Sequence, residues 1–525
     1  MGAGGLLERV GGWGRFHVLQ VSLMAVPLLF VGSHNFLQNF SAAVPPHRCR
    51  GSGHPRPEDP PEGPEGCVRL PANGTNATEA CTEGWVFDQS VFAATIATEW
   101  ELVCGQRSLR GMAQSIYMTG TLLGSVGFGG LADRLGRRVV FLWSLLQVVG
   151  FSTGAALAPS FPWYCVCRFL CGMGISGLLI NGIGLTLEWT PPRRRAPVVA
   201  VLSCWVTMGQ VTLAGLAFCF RHWRHLQLVV GLPCGLSLLC SWWLPESARW
   251  LLAKGRPHEA QRSLRLVARV NGVPGAGEGL SLEMPEAEQP QEPGTTEGAS
   301  VLDLFRRPAM RTVTTCITAI WFSSSLAFYA LALDVQRFPG EDPFVVQLVL
   351  GAADLPFRLL VVGPANRLGR RITQASCLLL GGGLGLLGLL VPRELGWLNM
   401  VLTVLGKGLM SASLTCAYLF ASELFPTPLR QTGVGIISMV ARLGAVLAPL
   451  LLLAGPWVPR LPPVLFSTVA LASGLLVAFL PETAGLPLPD TLEQAQSRVQ
   501  THSFWRVFPW SRGGGGGEGT WQTKL

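Results

Sequence analysis

The sequence predicts an all-α membrane protein of twelve transmembrane helices, built as two halves on one plan. Composition is the first reason. The 525 residues are 49% hydrophobic and only 14% charged, with a mean hydropathy of +0.39, outside the range of soluble domains. The second reason is a series of twelve apolar runs, each near the roughly 20 residues needed to cross the hydrocarbon core. The third is repetition. Gly129-Gly-Leu-Ala-Asp-Arg-Leu-Gly-Arg-Arg138 returns as Gly363-Pro-Ala-Asn-Arg-Leu-Gly-Arg-Arg371. Glu188-Trp-Thr-Pro-Pro-Arg-Arg-Arg195 returns as Glu423-Leu-Phe-Pro-Thr-Pro-Leu-Arg430, and Pro245-Glu-Ser-Ala248 as Pro481-Glu-Thr-Ala484. The offsets are 233, 235 and 236 residues, so three markers recur in one order, as in transporters built from repeats.

The runs lie at about 17–41, 111–131, 139–158, 163–187, 198–219, 225–244, 311–333, 344–363, 373–391, 397–420, 432–453 and 463–480. The loops after runs 2, 4 and 8 each carry three arginines: Arg134, Arg137 and Arg138; Arg193, Arg194 and Arg195; Arg367, Arg370 and Arg371. By the positive-inside rule these loops face the cytosol, and both termini with them. The net charge of +9 is therefore topological, because the arginines are spread among spans rather than gathered on one surface for nucleic acid. The predicted organisation is a lead-in at 1–16, a first half at 17–244, a cytosolic loop at 245–310, a second half at 311–480 and a cytosolic tail at 481–525. The first run has no small-residue cleavage site and is expected to stay as a span.

Within span 1, Ser33-His-Asn-Phe-Leu-Gln-Asn39 is polar for its depth, so His34 and Asn35 either bond to neighbouring helices or line a wet cavity. Residues 44–110 form one long outer loop with Cys49, Cys67, Cys81 and Cys104. In an oxidising compartment these predict two disulfides, with three connectivities open. Sequons at Asn73 and Asn76, and one at Asn39 beside the membrane, are glycosylation candidates. The other ten cysteines sit in apolar runs without metal-like spacing and are expected to pack.

The duplicated turn, with Asp133, Arg134, Arg137 and Arg138 in one copy and Arg367, Arg370 and Arg371 in the other, is expected to latch helices in one state of a transport cycle. Glu188 and Glu423 share that role, and Glu246 and Arg249 are three apart on one helical face. Residues 273–299, rich in Pro, Gly and Glu, are expected to be disordered. The tail holds a glycine run at 513–517 and ends in Thr523-Lys-Leu525, a pattern that offers a PDZ ligand.

Charges inside the spans are the functional candidates. Arg168 in span 4 lies about five residues from the outer boundary, within snorkelling reach. Asp354 and Arg358 in span 8 are at i,i+4, the spacing of a same-face pair. Lys407 in span 10 and Arg442 in span 11 fall near mid-membrane, and Arg442 has no acid one turn away on its own helix. Arg442, Lys407 and Arg358 together suit a positive lining in a low-dielectric cavity, where arginine grips a carboxylate bidentately. Phe328 and Tyr329 in span 7 supply aromatic contacts for an apolar body. No Walker loop, H-E-x-x-H, G-x-S-x-G or paired CxxC is present, so neither an enzyme nor a cofactor or metal is predicted.

The two basic turns resemble the loop signature of the major facilitator superfamily. More narrowly, the chain resembles an organic anion transporter of solute carrier family 22. That resemblance rests on Ser33-His-Asn35, Asn39-Phe-Ser-Ala-Ala-Val-Pro45, the cysteine-bearing loop, Ala113-Gln-Ser-Ile-Tyr117, Trp223-Arg-His-Leu-Gln227, Pro245-Glu-Ser-Ala-Arg-Trp250, Ser422-Glu-Leu-Phe-Pro-Thr427 and Leu486-Pro-Leu-Pro-Asp-Thr491. It implies two six-helix bundles around a cavity that opens alternately to each side. It also implies anion handling, since anion members carry arginine within Ala-Arg-x-Gly of span 11 and cation members carry aspartate; here it is Arg442. Lys407 in Gly-Lys-Gly matches several anion members, and Arg358 stands where relatives usually have lysine. Phe328 and Tyr329 stand where the family places cavity aromatics. Relatives generally have phenylalanine where this chain has Leu414, which points away from flat aryl substrates. The function expected is a plasma-membrane carrier exchanging a small organic anion for a counter-anion. The alternatives are a cation or zwitterion carrier, or a transport-inactive receptor-like member.

Overall fold

A computed structural model describes residues 12–501 apart from 51–66, 70–78, 82, 192–193, 274–302, 339–340, 427–428, 456, 487–488 and 490. Asn73, Asn76, Arg193, residues 274–299, the 513–517 glycine run and the Thr523-Lys-Leu525 end lie outside the described residues.

Twelve helical spans are present. The first half holds α1 (Arg15–Phe36), α2 (Ser108–Leu135), α3 (Arg137–Ala156), α4 (Phe161–Trp189), α5 (Arg195–Cys219) and α6 (Trp223–Gly231, continued as Pro233–Ser241). The second holds α7 (Pro308–Leu333), α8 (Pro343–Leu360, continued as Val362–Arg367), α9 (Arg370–Leu387), α10 (Gly396–Leu424), α11 (Arg430–Leu452) and α12 (Leu461–Leu476). Nine of these are long and apolar enough by themselves to cross a membrane. The other three are α2, α6 and α9. Prolines stand in the first turn of α4, α7, α8 and α12, where a missing N–H costs nothing. Large side chains such as Leu239 and Leu390, 75% and 79% exposed, point outward, which suits a surface that meets hydrocarbon rather than water.

Within the first half α4 packs on α2 and α3, and α1 on α5. Within the second, α7 packs on α11 and α9 on α10 and α12. The α2–α4 approach is set by small residues. A Cβ on Gly120 would lie 2.1 Å from the Phe169 carbonyl oxygen, and one on Gly172 would lie 2.4 Å from that of Tyr117.

The long loop between α1 and α2 is tied by disulfides Cys49–Cys81 and Cys67–Cys104, selecting one of the three open connectivities. Its strands pair antiparallel, β1 (His47–Cys49) with β4 (Trp85–Phe87) and β2 (Val68–Arg69) with β3 (Glu79–Ala80). Asn39 requires a correction. It lies in a short helix, Gln38–Ser41, is only 8% exposed, and donates from Nδ2 to Ala332 O at 2.8 Å and Gln347 Oε1 at 2.9 Å. That nitrogen is spent on bonds across the molecule, which leaves no place for a glycan.

Both arginine turns close the same way. Gly136 and Gly369 have φ of +100° and +97°, conformations that disfavour a side chain. Behind each stands a carboxylate from the later marker. Glu246 Oε1 accepts the backbone N–H groups of Arg137 and Arg138 at 3.1 and 3.2 Å. Glu482 accepts those of Arg370 and Arg371 at 2.8 and 3.0 Å. Each carboxylate therefore sits at the N-terminus of α3 or α9, where the helix dipole favours negative charge. Burial pushes the Glu246 carboxyl above its ordinary range, and these N–H donors pull it back. The expected Glu246–Arg249 face is thus corrected: Glu246 precedes the helix Ala248–Ala253 and is spent on α3, while Arg249 is exposed.

The halves meet where α2 packs on α11 and α5 on α8. The hydrogen bonds between them run from mid-depth to the cysteine-loop end. Ser115 Oγ donates to Val446 O at 2.9 Å, Lys407 Nζ to Gln210 Oε1 at 3.4 Å, and Gln336 Nε2 to Val44 O at 3.3 Å. Among the described residues, none joins the halves at the arginine-turn end. The hydrogen bonds between the halves are thus gathered toward the cysteine-loop end.

Gly136→Ala and Gly369→Ala should each destabilise the fold by about 1–3 kcal/mol, since the added Cβ would lie 2.4 Å from the carboxylate behind it. The check is the melting midpoint of detergent-purified protein, with Gly127→Ala, where nothing lies within 4 Å, as the unaffected control. Peptide mapping without reduction should recover Cys49 with Cys81 and Cys67 with Cys104; a Cys49–Cys67 peptide would contradict the loop.

Candidate functional site

Phe328 is the meeting point of the predicted cations. It is 5% exposed on α7, with Lys407 Nζ 4.9 Å and the Arg358 guanidinium carbon 5.9 Å from its ring centre. Tyr329 stands edge-on to it at 5.3 Å, and Phe36 of α1 stacks on Tyr329 at 6.0 Å. The Tyr329 hydroxyl lies within electrostatic reach of both Arg442 and Arg358. Spans 7, 8, 10 and 11 thus bring Arg442, Arg358, Lys407, Phe328 and Tyr329 to one place.

Their charges do not act alike. Lys407 is fully buried and its ammonium has three acceptors: Asp354 Oδ2 at 2.6 Å, Leu350 O at 2.8 Å and Gln210 Oε1 at 3.4 Å. All three N–H bonds are used, and the carboxylate offsets the charge. Two expectations change here. Asp354 pairs with Lys407 on α10 rather than with Arg358 one turn along α8, and Lys407 is no free ligand in this conformation. The pair's geometry is good, while Asp354 Oδ1 is buried without a hydrogen-bond partner among the described residues. Arg358 is left without a carboxylate among the described residues.

Arg442 is the second uncompensated cation. Its Nη1 donates to Thr121 O at 2.9 Å and to Ser176 Oγ at 2.6 Å, both neutral acceptors in the first half. No carboxylate pairs with it among the described residues.

His34 and Asn35 face the first half. His34 is fully buried, with Nδ1 4.0 Å from Cys171 Sγ and its carbonyl accepting from Arg168. Asn35 Oδ1 accepts from the Tyr117 hydroxyl at 2.9 Å, and its carbonyl from Gln114 Nε2 at 3.0 Å. Both are held in helix packing. Arg168 is also fully buried, so snorkelling does not explain it.

The residues of the duplicated turns divide into paired and exposed. Arg137 pairs with Glu188 at 2.5 Å, and Arg370 grips both oxygens of Glu423 at 3.1 and 3.0 Å. Arg371 donates to Ala478 O at 2.7 Å and Arg138 to Trp242 O. Asp133, Arg134 and Arg367 are exposed.

A cavity of about 1080 Å³ opens toward the cysteine-loop end, lined by Gln38, Asn39, Arg107, Arg110, Asp334 and Glu341 among others. The Phe328 cluster does not line it. Residues 72–494 match the family model described as "Sugar (and other) transporter". Solute carrier family 22 member 6-B of Xenopus laevis is 41% identical over 520 residues, covering 94% of each chain. Solute carrier family 22 member 20 of Mus musculus is 42% identical over 523 residues, again covering 94% of each. The chain belongs to solute carrier family 22. Among solved structures, a D-xylose-proton symporter superposes with a TM-score of 0.59 at 15% identity, covering 91% of this chain and all of that one (100%). The proton:xylose symporter XylE bound to 6-bromo-6-deoxy-D-glucose gives 0.58 at 15% identity, covering 92% and 98%. That likeness shows the major facilitator fold, and this family member is a membrane transporter rather than an enzyme.

Sequence reasoning missed Ser176, Thr121, Gln210 and Phe36 as partners of the cluster. All four come from the first half, and no local pattern says which face of α1, α2, α4 or α5 meets α7 to α11. In this transporter Asp354→Asn or Lys407→Met alone should cost about 3–5 kcal/mol by stranding a buried charge. The double variant Asp354→Leu/Lys407→Met should recover most of the loss, which thermal melting of the purified protein checks.

Proposed function

We propose that this chain is a plasma-membrane carrier for small organic anions, working by alternating access and exchanging its cargo for an intracellular counter-anion. The observation that supports this most is Arg442, a mid-depth guanidinium between the halves whose partners are a carbonyl and a hydroxyl. An arginine held there by neutral acceptors keeps its charge for a ligand. Arg358 adds a second positive charge, and Phe328, Tyr329 and Phe36 provide aromatic surface for the apolar part of an amphipathic anion. In cation carriers of the same plan the span-11 position is acidic, and here it is basic.

Charge distribution favours placing the arginine turns in the cytosol, with both termini. On that reading the hydrogen bonds between the halves lie toward the outside, beside the cavity that opens there. An anion arriving from the cytosol competes with Thr121 and Ser176 for Arg442. Loosening those bonds frees the outer ends of α2 and α11 to part, while Asp133, Arg134 and Arg367, exposed now, approach the opposite half. Binding has to favour both states moderately, since a ligand that strongly prefers one state locks the carrier there. The PDZ-ligand pattern at Thr523-Lys-Leu525 fits a cytosolic end and belongs to the same reading.

Uptake of labelled urate, an aryl carboxylate and a steroid sulfate into cells expressing the chain tests this. Wild type should show saturable uptake of at least one. Arg442→Ala should cut that uptake by tenfold or more, the order of one lost charge-assisted contact of about 1.5–3 kcal/mol, at equal surface abundance. Undiminished anion uptake by Arg442→Ala would sink the site assignment. A wild type that reaches the surface and moves only cations would sink the function.

A further inference from the structure

Arg168 is a buried charge that the proposed transport site does not use. Its side chain is fully buried on α4. The guanidinium stacks on Tyr117, 4.1 Å from the ring centre, and Nη2 donates to His34 O at 3.4 Å. Nε and Nη1 are buried without a hydrogen-bond partner, and among the described residues no carboxylate pairs with the group. A full charge in that position is costly unless the charge itself is needed.

Its position gives it a target. Tyr117, beneath Arg168, is one turn from Thr121 on α2, and Thr121 O accepts from Arg442 at 2.9 Å. Tyr117 also belongs to one apolar cluster with Met118, Ala445 and Tyr329. On α4, Ser176 lies eight residues beyond Arg168 and accepts from Arg442 at 2.6 Å, a rise of about 12 Å along the helix. The α2 stretch from Tyr117 to Thr121 therefore touches both guanidiniums, Arg168 at the Tyr117 ring and Arg442 at the Thr121 carbonyl. Tyr117 is fully buried, so the aromatic ring between Arg168 and Thr121 is shielded from water.

We infer that Arg168 is a long-range specificity residue, an uncompensated positive charge outside the site that raises the potential at Arg442 and favours anions of higher charge. This rests on the reading of Arg442 as the anion site. Taking that helix rise of about 12 Å as the scale of the separation, with an effective dielectric of about 20, one charge changes the binding of a monoanion by roughly tenfold. For a dianion the factor is squared. A packing role, in which Arg168 only ties α1 to α4, affects both anions alike.

The test measures KM for an aryl monocarboxylate and a dicarboxylate of similar size in cells, beside maximal uptake and surface abundance. Arg168→Met should raise KM up to tenfold for the monoanion and by the square of that factor for the dianion. Arg168→Lys, which keeps the charge, should stay within about twofold of wild type. Cys171→Asp, one turn along α4 in the same buried cluster, should act like Arg168→Met by neutralising the charge without deleting it. Equal KM changes for both anions, or an Arg168→Lys protein as poor as Arg168→Met, would overturn the inference. If Arg168→Met fails to reach the surface, Cys171→Asp decides: an unchanged ratio of the two KM values overturns it. A wild type that moves neither anion overturns the proposed function instead.

Discussion

A carboxylate seated on a helix N-terminus holds each arginine turn, and the rest of each half is arranged to deliver it. Glu246 reaches back 109 residues to Arg137, and Glu482 reaches back 112 to Arg370. The first N–H groups of a helix have no partner of their own, so a carboxylate there meets an electrostatic need and a hydrogen-bonding need together. The glycine before each helix lets the backbone approach closely enough for this. The first arginine of each helix then pairs with the glutamate ending the fourth span of its half, Glu188 or Glu423. Two six-helix units are thereby clasped by one device used twice. Because each clasp stays within its own half, the halves remain separate bodies that can tilt as units.

What joins the halves is weaker and of another kind. Among the described residues, hydrogen bonds without any ion pair, together with aromatic contacts, run from Arg442 at mid-depth to the cysteine-loop end, including Phe40 stacked on Phe344 at 5.3 Å. Such contacts are worth little singly against solvent or lipid. Their exchange for a matching set at the other end is therefore compatible with a low-cost switch between two states. Stiff halves and an exchangeable seam are what a carrier requires.

Three buried cations near that seam have three fates. Lys407 is neutralised by Asp354, Arg442 is held by neutral acceptors, and Arg168 is stacked on an aromatic ring. In sequence all three are basic residues within apolar runs, and only their depth sets Arg168 apart. Partnering separated them, and partnering lies between helices far apart in the chain. The i,i+4 spacing of Asp354 and Arg358 was misleading for that reason. A same-helix pair gains little in itself, whereas a buried ammonium on α10 with no other acid gains a great deal from that carboxylate.

The sequence by itself determined the twelve spans and the duplication, because each follows from local apolar length and repeated markers. It also singled out Arg442, since an arginine in the middle of an apolar run is conspicuous without any fold. Only the tertiary structure decided that Lys407 is spent on Asp354, that Asn39 faces inward and not toward a glycan, that the loop pairs Cys49 with Cys81, and that Ser176 and Thr121 complete the Arg442 site. Each of these depends on which faces of distant helices meet. A membrane helix that is apolar nearly all round has no polar face to announce that choice, so it is made by close packing at small residues and by the few buried polar groups that must find one another.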